Sequence, residues 1–468
     1  MSGLLSSLGG ASAALAVFSQ ALGVDQANVA NVSTPGYAAQ RANILAIGAN
    51  DGTGAGSDFI TITSASDNFA DASVRAASSQ ASLAGASAQQ LSSINQLFDI
   101  TGSSGILAAL QGFGSAFSSL SVTPNDSTLQ TNALNAAGNV AAAFQAVASS
   151  LASQKAQVDS SLAGVTSQIN GLAASIRNLN VATAVSAGDP AATDASLRSD
   201  LDQLSSLVDV TVTKNPDGTV NVLAGGQLPL VEGSQAYTLS VNPSGDRGSQ
   251  VTSSGGGGSP AEFSGQLGAL LDTRSNAIGS LLGSGSSIGK LNELAAGFAS
   301  RVNSLLTSGV TGNGSAGVPI FSFNSADPSN AAQTLTLDLS VAGSQLALGS
   351  AGPPPQSNAI ANQLASLPSS TASEDQIGSL SPEGLFGSIA ASIGQQLSDA
   401  QNAATGAQSA LTTAQASRQQ ALGVSLDTEA TKITEYQRDY QANAQVVSVL
   451  NQLTGTALNL INGTSGVL

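Results

Sequence analysis

The sequence predicts an α+β protein of several nested, discontinuous domains: a terminal pair of α-helical coiled-coil segments, an elongated helical bundle and a β-rich insert. Three observations predict it. Apolar residues recur at heptad spacing at both ends of the 468-residue chain, two longer stretches carry the three-four rhythm of buried helices, and the middle alternates valines with polar residues around a turn signal. Because the first and last elements are alike, the two halves pair and the β part is an excursion between them.

Leu8, Leu15, Leu22 and Val29 stand seven apart, and Ala11, Phe18, Asp25 and Val32 sit three beyond each, which makes one apolar face over four heptads. Pro35 pushes Thr34 toward an extended conformation and Pro35-Gly36 suits the centre of a type II turn, so this helix ends near Val32. A shorter helix carries Ile106, Leu110, Phe113 and Phe117. From Val140 to Leu179 the apolar residues Phe144, Val147, Leu151, Val158, Leu162, Val165, Ile169, Leu172 and Ile176 step by three and four, with Lys155 filling the single gap. That pattern predicts a helix of roughly fifty residues with Pro124 in its first turn.

Val208, Val210 and Val212 alternate with polar residues, Asn215-Pro216-Asp217-Gly218 is a turn, and Val220 and Val222 resume the alternation. This is a β-hairpin, and Leu228, Leu230, Tyr237, Leu239 and Val241 continue its sheet. Ser253 to Pro260, with four glycines, reads as a flexible linker or long loop. A helical stretch runs from Leu267 to Leu306, Phe321/Phe323 and Leu335 to Val341 read as strands, and Gly352 with Pro353 to Pro355 marks a boundary. Ser381-Pro382-Glu383 opens a second long helix carrying Phe386, Ile389, Ile393 and Leu397.

Ser425 caps a last helix with Asp427 and Glu429 in its first turn, favourable to the helix dipole. Leu426, Ile433, Tyr440, Val447 and Ile461 fall on one seven-residue lattice, and Tyr436, Leu450 and Ala457 take the companion positions. The expected division is 1–48 with 415–468 as the terminal coiled-coil helices, 60–185 with 356–414 as the bundle, and 186–355 as the β-rich insert with a helical segment at 264–308.

Composition excludes several chemistries. Without His or Cys there is no Ser/His or Cys/His nucleophile, no imidazole-bound zinc, no thiolate site and no disulfide. Only 9% of residues are charged, so solubility rests on hydroxyls and amides; the net charge of −16, with Lys and Arg scattered singly, offers no stripe for nucleic acid. Gly312-Asn313-Gly314 and Gly255 to Gly258 lead into no P-loop Lys-Ser/Thr, and a carboxylate pair such as Asp272 with Glu293 has no aromatic platform for a glycan. The expectation is no catalytic residue, no cofactor and no metal. The apolar first 24 residues lack the positive n-region of a secretory signal, the first basic residue being Arg41, and no unbroken apolar run of about 18 residues predicts insertion into a bilayer.

The stretch Leu22 to Tyr37, LGVDQANVANVSTPGY, resembles the N-terminal signature shared by bacterial flagellar rod, hook and hook-associated proteins, with Asn28, Asn31, Pro35, Gly36 and Tyr37 as its marked positions. Gly423 to Ala430 (GVSLDTEA) and Tyr436 to Ala444 (YQRDYQANA) are similar to the C-terminal end of the flagellar hook-associated protein 1 (FlgK) family. INGL at 169–172, RSDLDQL at 198–204, SGQLGALLDTR at 264–274 and LNELAAGFASRVN at 291–303 agree with that family in order along the chain. The resemblance implies an exported structural subunit of the hook-filament junction. Its expected partners are itself, the hook protein, a second junction protein and an export chaperone, with neither nucleic acid nor membrane insertion. It also implies that the terminal helices form an inner tube and the β-rich insert faces outward. The shorter chain predicts a reduced or absent outermost domain.

The terminal stripes support the same role on physical grounds. Ordering about 33 residues costs on the order of 1 kcal/mol or more each, while a large aliphatic side chain returns roughly 1.5–3 kcal/mol on burial, so a lone stripe barely breaks even. Leu8, Leu15, Phe18, Leu22, Val29, Leu426, Ile433, Tyr436, Tyr440, Val447, Leu450 and Ile461 are therefore the expected assembly seam, folding as copies associate. Asp25 reads as a solvated polar register device, and Asn28 and Asn31 as helix-end hydrogen-bonders. The rival reading is an extracellular adhesin or surface-layer subunit whose β-rich insert holds a ligand.

Overall fold

In a computed structural model of the chain, the described residues are 2–34, 36–46, 58–100, 104–185, 190–242, 250–257, 262–284, 287–350 and 357–464. The Gly352 to Pro355 boundary lies outside them. The first helix, α1 (Ser2–Ala30), stops close to the expected point and leads into β1 (Gln40–Ala46) and β2 (Asp58–Ser64), an antiparallel hairpin the sequence reading missed. Next comes α2 (Asn68–Asn95), also unanticipated, capped by Asp67, whose carboxylate accepts from the amides of Phe69 and Ala70.

The shorter helix α3 (Gly105–Val122) precedes α4 (Ser127–Ala184), 58 residues and about 87 Å long at 1.5 Å per residue. Asp126 caps α4 by accepting from Thr128 and Leu129, so Pro124 stands before the cap and not in the first turn. Then α5 (Pro190–Leu207) packs back on α4 and α2.

The β-rich region holds β3 (Val210–Lys214), β4 (Val220–Ala224), β5 (Leu228–Glu232) and β6 (Gln235–Ala236) in one antiparallel sheet in that order. Gly218, at φ +85°, supplies the left-handed residue the expected turn needs. Leu239 and Val241 do not extend this sheet: β7 (Leu239–Asn242) pairs with β8 (Gln250–Ser253) as a separate ribbon. The glycine-rich segment starts as packed structure and not as a linker. A Cβ on Gly255 would lie 2.7 Å from ring atoms of both Pro229 and Tyr237, and one on Gly257 would lie 2.4 Å from the Gln227 carbonyl. Residues 258–261 lie outside the described set.

The expected helix from Leu267 to Leu306 is interrupted. It comprises α6 (Gly265–Asp272), a π-helical turn (Thr273–Ile278), α7 (Gly279–Leu282), the short pair β9 (Gly283–Ser284) and β10 (Ser287–Ile288), and α8 (Lys290–Ser308). The expected strands near Phe321 and Leu335 shrink to β11 (Phe321–Ser322) and β12 (Thr336–Leu337), flanking α9 (Ala331–Thr334). The chain closes with α10 (Ala359–Ser366), α11 (Pro382–Leu422), which starts where expected and is capped by Ser381, and α12 (Leu426–Thr464).

The nesting of the ends is as expected, with α1 paired with α12, and the unanticipated α2 pairs with α11. Asp71 near the start of α2 meets Arg418 near the end of α11, and Asn95 meets Gly394, so α2 and α11 are antiparallel. One contiguous core joins the bundle to the insert, from Phe113 and Phe144 through Val222 and Leu230 to Phe298 and Phe386. By length and composition α1 and α3 are apolar enough to cross a bilayer; α3 spends its apolar residues in this core, and α1 packs on α12.

With charge scarce, asparagine ties strands to helices. Asn170 pairs with both N–H and C=O of Leu239 (2.7 and 3.0 Å), Asn180 with both groups of Val220 (2.9 and 2.7 Å), and Asn303 of α8 with both groups of Phe321 (3.0 and 2.8 Å). Each side-chain amide replaces the strand partner that a peptide unit would otherwise need. Asn180 is 1% exposed and also donates to Gly233. Asn180→Ala is expected to cost about 2–4 kcal/mol, since it leaves buried peptide groups unpaired. Denaturant unfolding measures this, and Asn170→Ala, at a less buried clasp, should cost less.

Candidate functional site

The two ends of the chain meet as an antiparallel helix pair. Asn28 of α1 lies 3.0 Å from Glu429 at the start of α12, and ten residues back Phe18 lies against Tyr436, ring centroids 6.2 Å apart. The heptad repeat is present on α1, but its buried face is one residue out of phase with the expected one. Ala14, Val17, Ala21, Val24 and Asn28 are buried in three-four steps, and Asp25, beside Val24, is buried with them. Leu8, Leu15, Phe18 and Leu22 are only half-buried, and Val29 is exposed.

A one-residue step turns a helix by about 100°, so the larger side chains flank the intramolecular seam while small ones fill it. On α12, Ile433, Tyr436, Val447 and Leu450 are half-buried, whereas Leu426 and Tyr440 are exposed. The side chain of Ile461 lies outside the described residues. Val446, Val449 and Leu453, which the sequence reading did not single out, form a further exposed stripe in three-four steps.

At the open end of the pair, polar groups lock the turn that follows α1. Asn28 is fully buried and makes the same two-pronged clasp as the asparagines above: its Oδ1 accepts from Gln40 N–H and its Nδ2 donates to Gln40 C=O, both at 2.8 Å. Tyr37 donates its hydroxyl to Asn28 Oδ1 at 2.9 Å, and Asn28 Nδ2 also donates to Glu429 Oε2. Asn31 caps the helix end, donating to the Ala27 carbonyl and accepting from Thr34. Gly36, at φ +76°, lies so close to α5 that a Cβ would stand 2.5 Å from the Ala195 carbonyl oxygen. Pro35 lies outside the described residues.

Asp25 is not solvated. It is 1% exposed and hydrogen-bonds Glu429, itself 3% exposed, while Lys432 reaches Glu429 Oε1 at 3.1 Å. Burial and then the Glu429 carboxylate push Asp25 up to about 7. Burial opposes ionisation of Glu429 too, but bonds from Asn28, Asp25 and Lys432 outweigh it and hold Glu429 below the usual carboxylate range.

Where α11 approaches the ends, a second polar knot fastens α2, α5 and α11. Arg198 meets Asp71 at 3.4 Å and Asp194 at 3.1 Å and donates to the Ala65 carbonyl; Arg418 meets Asp202 at 2.7 Å. Burial lowers Arg75 and raises Asp202 in the same knot. Asp272 and Glu293, the carboxylates considered above for catalysis, are both exposed, and Asp272 accepts from Asn276.

Comparison with known proteins agrees with this geometry. Residues 91–321 match the model of the flagellar hook-associated protein FlgK helical domain, and residues 415–460 match that of the flagellar basal body rod FlgEFG protein C-terminal region. The chain is 28% identical to flagellar hook-associated protein 1 of Salmonella typhimurium over 67% of its own length and 59% of that protein's. It is thus similar to a protein of which it spans less than two thirds. It is 23% identical to flagellar hook-associated protein 1 of Bacillus subtilis over 95% of this chain and 96% of the other. Its fold resembles the flagellar hook junction protein FlgK from Burkholderia pseudomallei, with a TM-score of 0.63 at 15% identity over 74% of this chain and 99% of that one.

A terminal helix pair and a long helical bundle, with these matches, place the chain in the class of flagellar hook-associated proteins. The chain belongs to the flagellar hook-associated protein 1 (FlgK) family.

Proposed function

We propose that this chain is a subunit of the hook-filament junction of an extracellular flagellum, building a layer of identical copies through its N- and C-terminal helices. The observation that carries this reading is the phase of α1: small residues fill the seam with α12, and Leu8, Leu15, Leu22 and Val29 remain for a neighbour to cover. On α12 the exposed Val446, Val449 and Leu453 offer the complementary apolar stripe. In this reading 1–48 with 415–468 form the inner shell, 60–185 with 356–414 the next one, and 186–355 the outward insert. The hook protein, a second junction protein and an export chaperone are its further partners.

The mechanism is geometric. The long bundle helices give each subunit stiffness along its length, and the terminal pair supplies a repeatable contact. The test is complementation of a strain lacking this protein. The full chain is expected to restore filaments, and a chain lacking residues 2–30 is expected to reach the medium or the cell body without restoring them. Filaments of normal length and attachment from the truncated chain would count against the proposal and favour a role carried by the insert.

A further inference from the structure

The α1–α12 joint contains more carboxyl groups than it can hold ionised. Asp25 and Glu429 face each other in a seam that excludes water, and Lys432 is the one cation bonded there among the described residues. Glu429 is well served, with Lys432 on Oε1 and the Asn28 amide on Oε2. Asp25 is not, since its buried Oδ2 has no hydrogen-bond partner. A second negative charge in such a place, with its like charge adjacent, costs far more than the same charge in water.

We propose that this joint is a one-proton clasp: Asp25 and Glu429 hold a single proton between them, and losing it loosens the pairing of the two chain ends. With the proton in place Asp25 donates to Glu429, and the remaining charge is balanced by Lys432. Without it the seam carries one uncompensated negative charge. The other groups facing Asp25 do not relieve this. Tyr436 of α12 is a neutral phenol held above its ordinary range by burial and by these same carboxylates, and the Tyr37 hydroxyl is committed to Asn28. On the hairpin, Arg41 is exposed and Asp58 stands at the far end, opposite Ala46.

The direction of the pH effect follows. Asp25 takes its proton near 3.8 when the ends are apart and near 7 when they are paired, so the paired state holds the extra proton between those values. Stability of the joint is therefore lost as pH rises through that window and is level above it. Glu429, shifted the opposite way, contributes stability that fades only in more acid solution, below its ordinary carboxylate range. The ends are held most tightly in mild acid and progressively less so up to neutrality.

Hydrogen exchange of the full chain, read by mass spectrometry and corrected for the intrinsic rate, tests this. The opening constant of α1 and of the first turns of α12 is expected to be about 20-fold larger at pH 7.5 than at pH 5.5, with α4 unchanged. Asp25→Asn keeps a donor for Glu429 and removes the ionisation, so its α1 opening should vary less than twofold over the same range. Equal protection of α1 in the unaltered chain at both pH values, or a 20-fold change that survives Asp25→Asn, would overturn the proposal. If Asp25→Asn does not pair its ends, the carboxyl carbon resonance of Asp25 in the unaltered chain decides: a midpoint within a unit of 7 supports the clasp, and one below 5 refutes it.

Discussion

Phe113→Ala is expected to destabilise the chain by about 3–5 kcal/mol, the range for truncating a fully buried phenylalanine. Phe113 is completely buried and stands 4.6 Å from Phe117 and 5.2 Å, edge-on, from Phe298, which in turn stands 6.0 Å from Phe321. These rings belong to α3, α8 and β11, so the lost atoms come from the place where the helical bundle meets the later part of the chain. Contacts in one aromatic cluster do not add, and Phe298→Ala combined with Phe113→Ala should cost less than the two single losses summed. Guanidinium unfolding followed by both far-UV circular dichroism and tyrosine fluorescence measures the loss. A Phe113→Ala chain that unfolds within 1 kcal/mol of the original would mean that the cavity collapses freely, which rings on three different elements do not permit.

The elements legible in the sequence are those whose packing face is written in large aliphatic side chains. The Val140 to Leu179 stripe, the helix after Ser381 and the Val210 to Val222 hairpin fall in that class, as does the heptad repeat at each end. Helix α2 was not legible because its buried face is largely small: Ala70, Val74 and Ser79 precede Leu91 and Ile94, so the period fades into an Ala/Ser background. Its other anchor is ionic, and a charge in this sequence looks the same whether it is solvated or, like Asp71, enclosed by Arg198 and Arg418. The asparagine clasps were illegible for a related reason. Asn170, Asn180 and Asn303 occupy helical positions with no local signal that separates them from surface amides; Asn28 stands out as a helix-end hydrogen-bonder in the signature, but its partner Gln40 does not.

On α1 the sequence specified the period but not the phase. Leucines every seven residues say that one stripe avoids water; they do not say whether the same molecule or a neighbour covers it. The structure resolves this in favour of alanine and valine inside, because Ala14 and Ala21 let α1 approach α12 closely. Asp25 stands on the expected face, but it is not the solvated register device read there: it is buried in the seam against Glu429. Period is a property of the chain, and phase is a property of what packs against it.

That distinction yields the prediction with the largest expected effect on assembly. Leu15→Asp places a carboxylate on the half-buried flank of α1, beside the intramolecular seam. Within one molecule the new charge can reach water, so unfolding should change by no more than about 1 kcal/mol. In a layer of identical copies the same carboxylate would be buried against an apolar neighbour with no cation to meet it, at a cost of several kcal/mol per contact. A loss of about 3 kcal/mol at each contact weakens association by more than 100-fold, and every subunit in the layer would suffer it. Ala14→Asp is the necessary contrast, because Ala14 lies inside the α1–α12 seam. It is expected to strip exchange protection from both terminal helices in the isolated chain and to abolish assembly as well. Leu15→Asp should keep that protection and lose only incorporation into the flagellum, scored by electron microscopy of complemented cells. If Leu15→Asp opened the isolated chain while Ala14→Asp left it closed, the phase assigned to α1 would be wrong. If Leu15→Asp cells grew normal filaments, Leu15 would not be buried by a neighbouring copy, and assembly would rest on some surface other than this flank of α1.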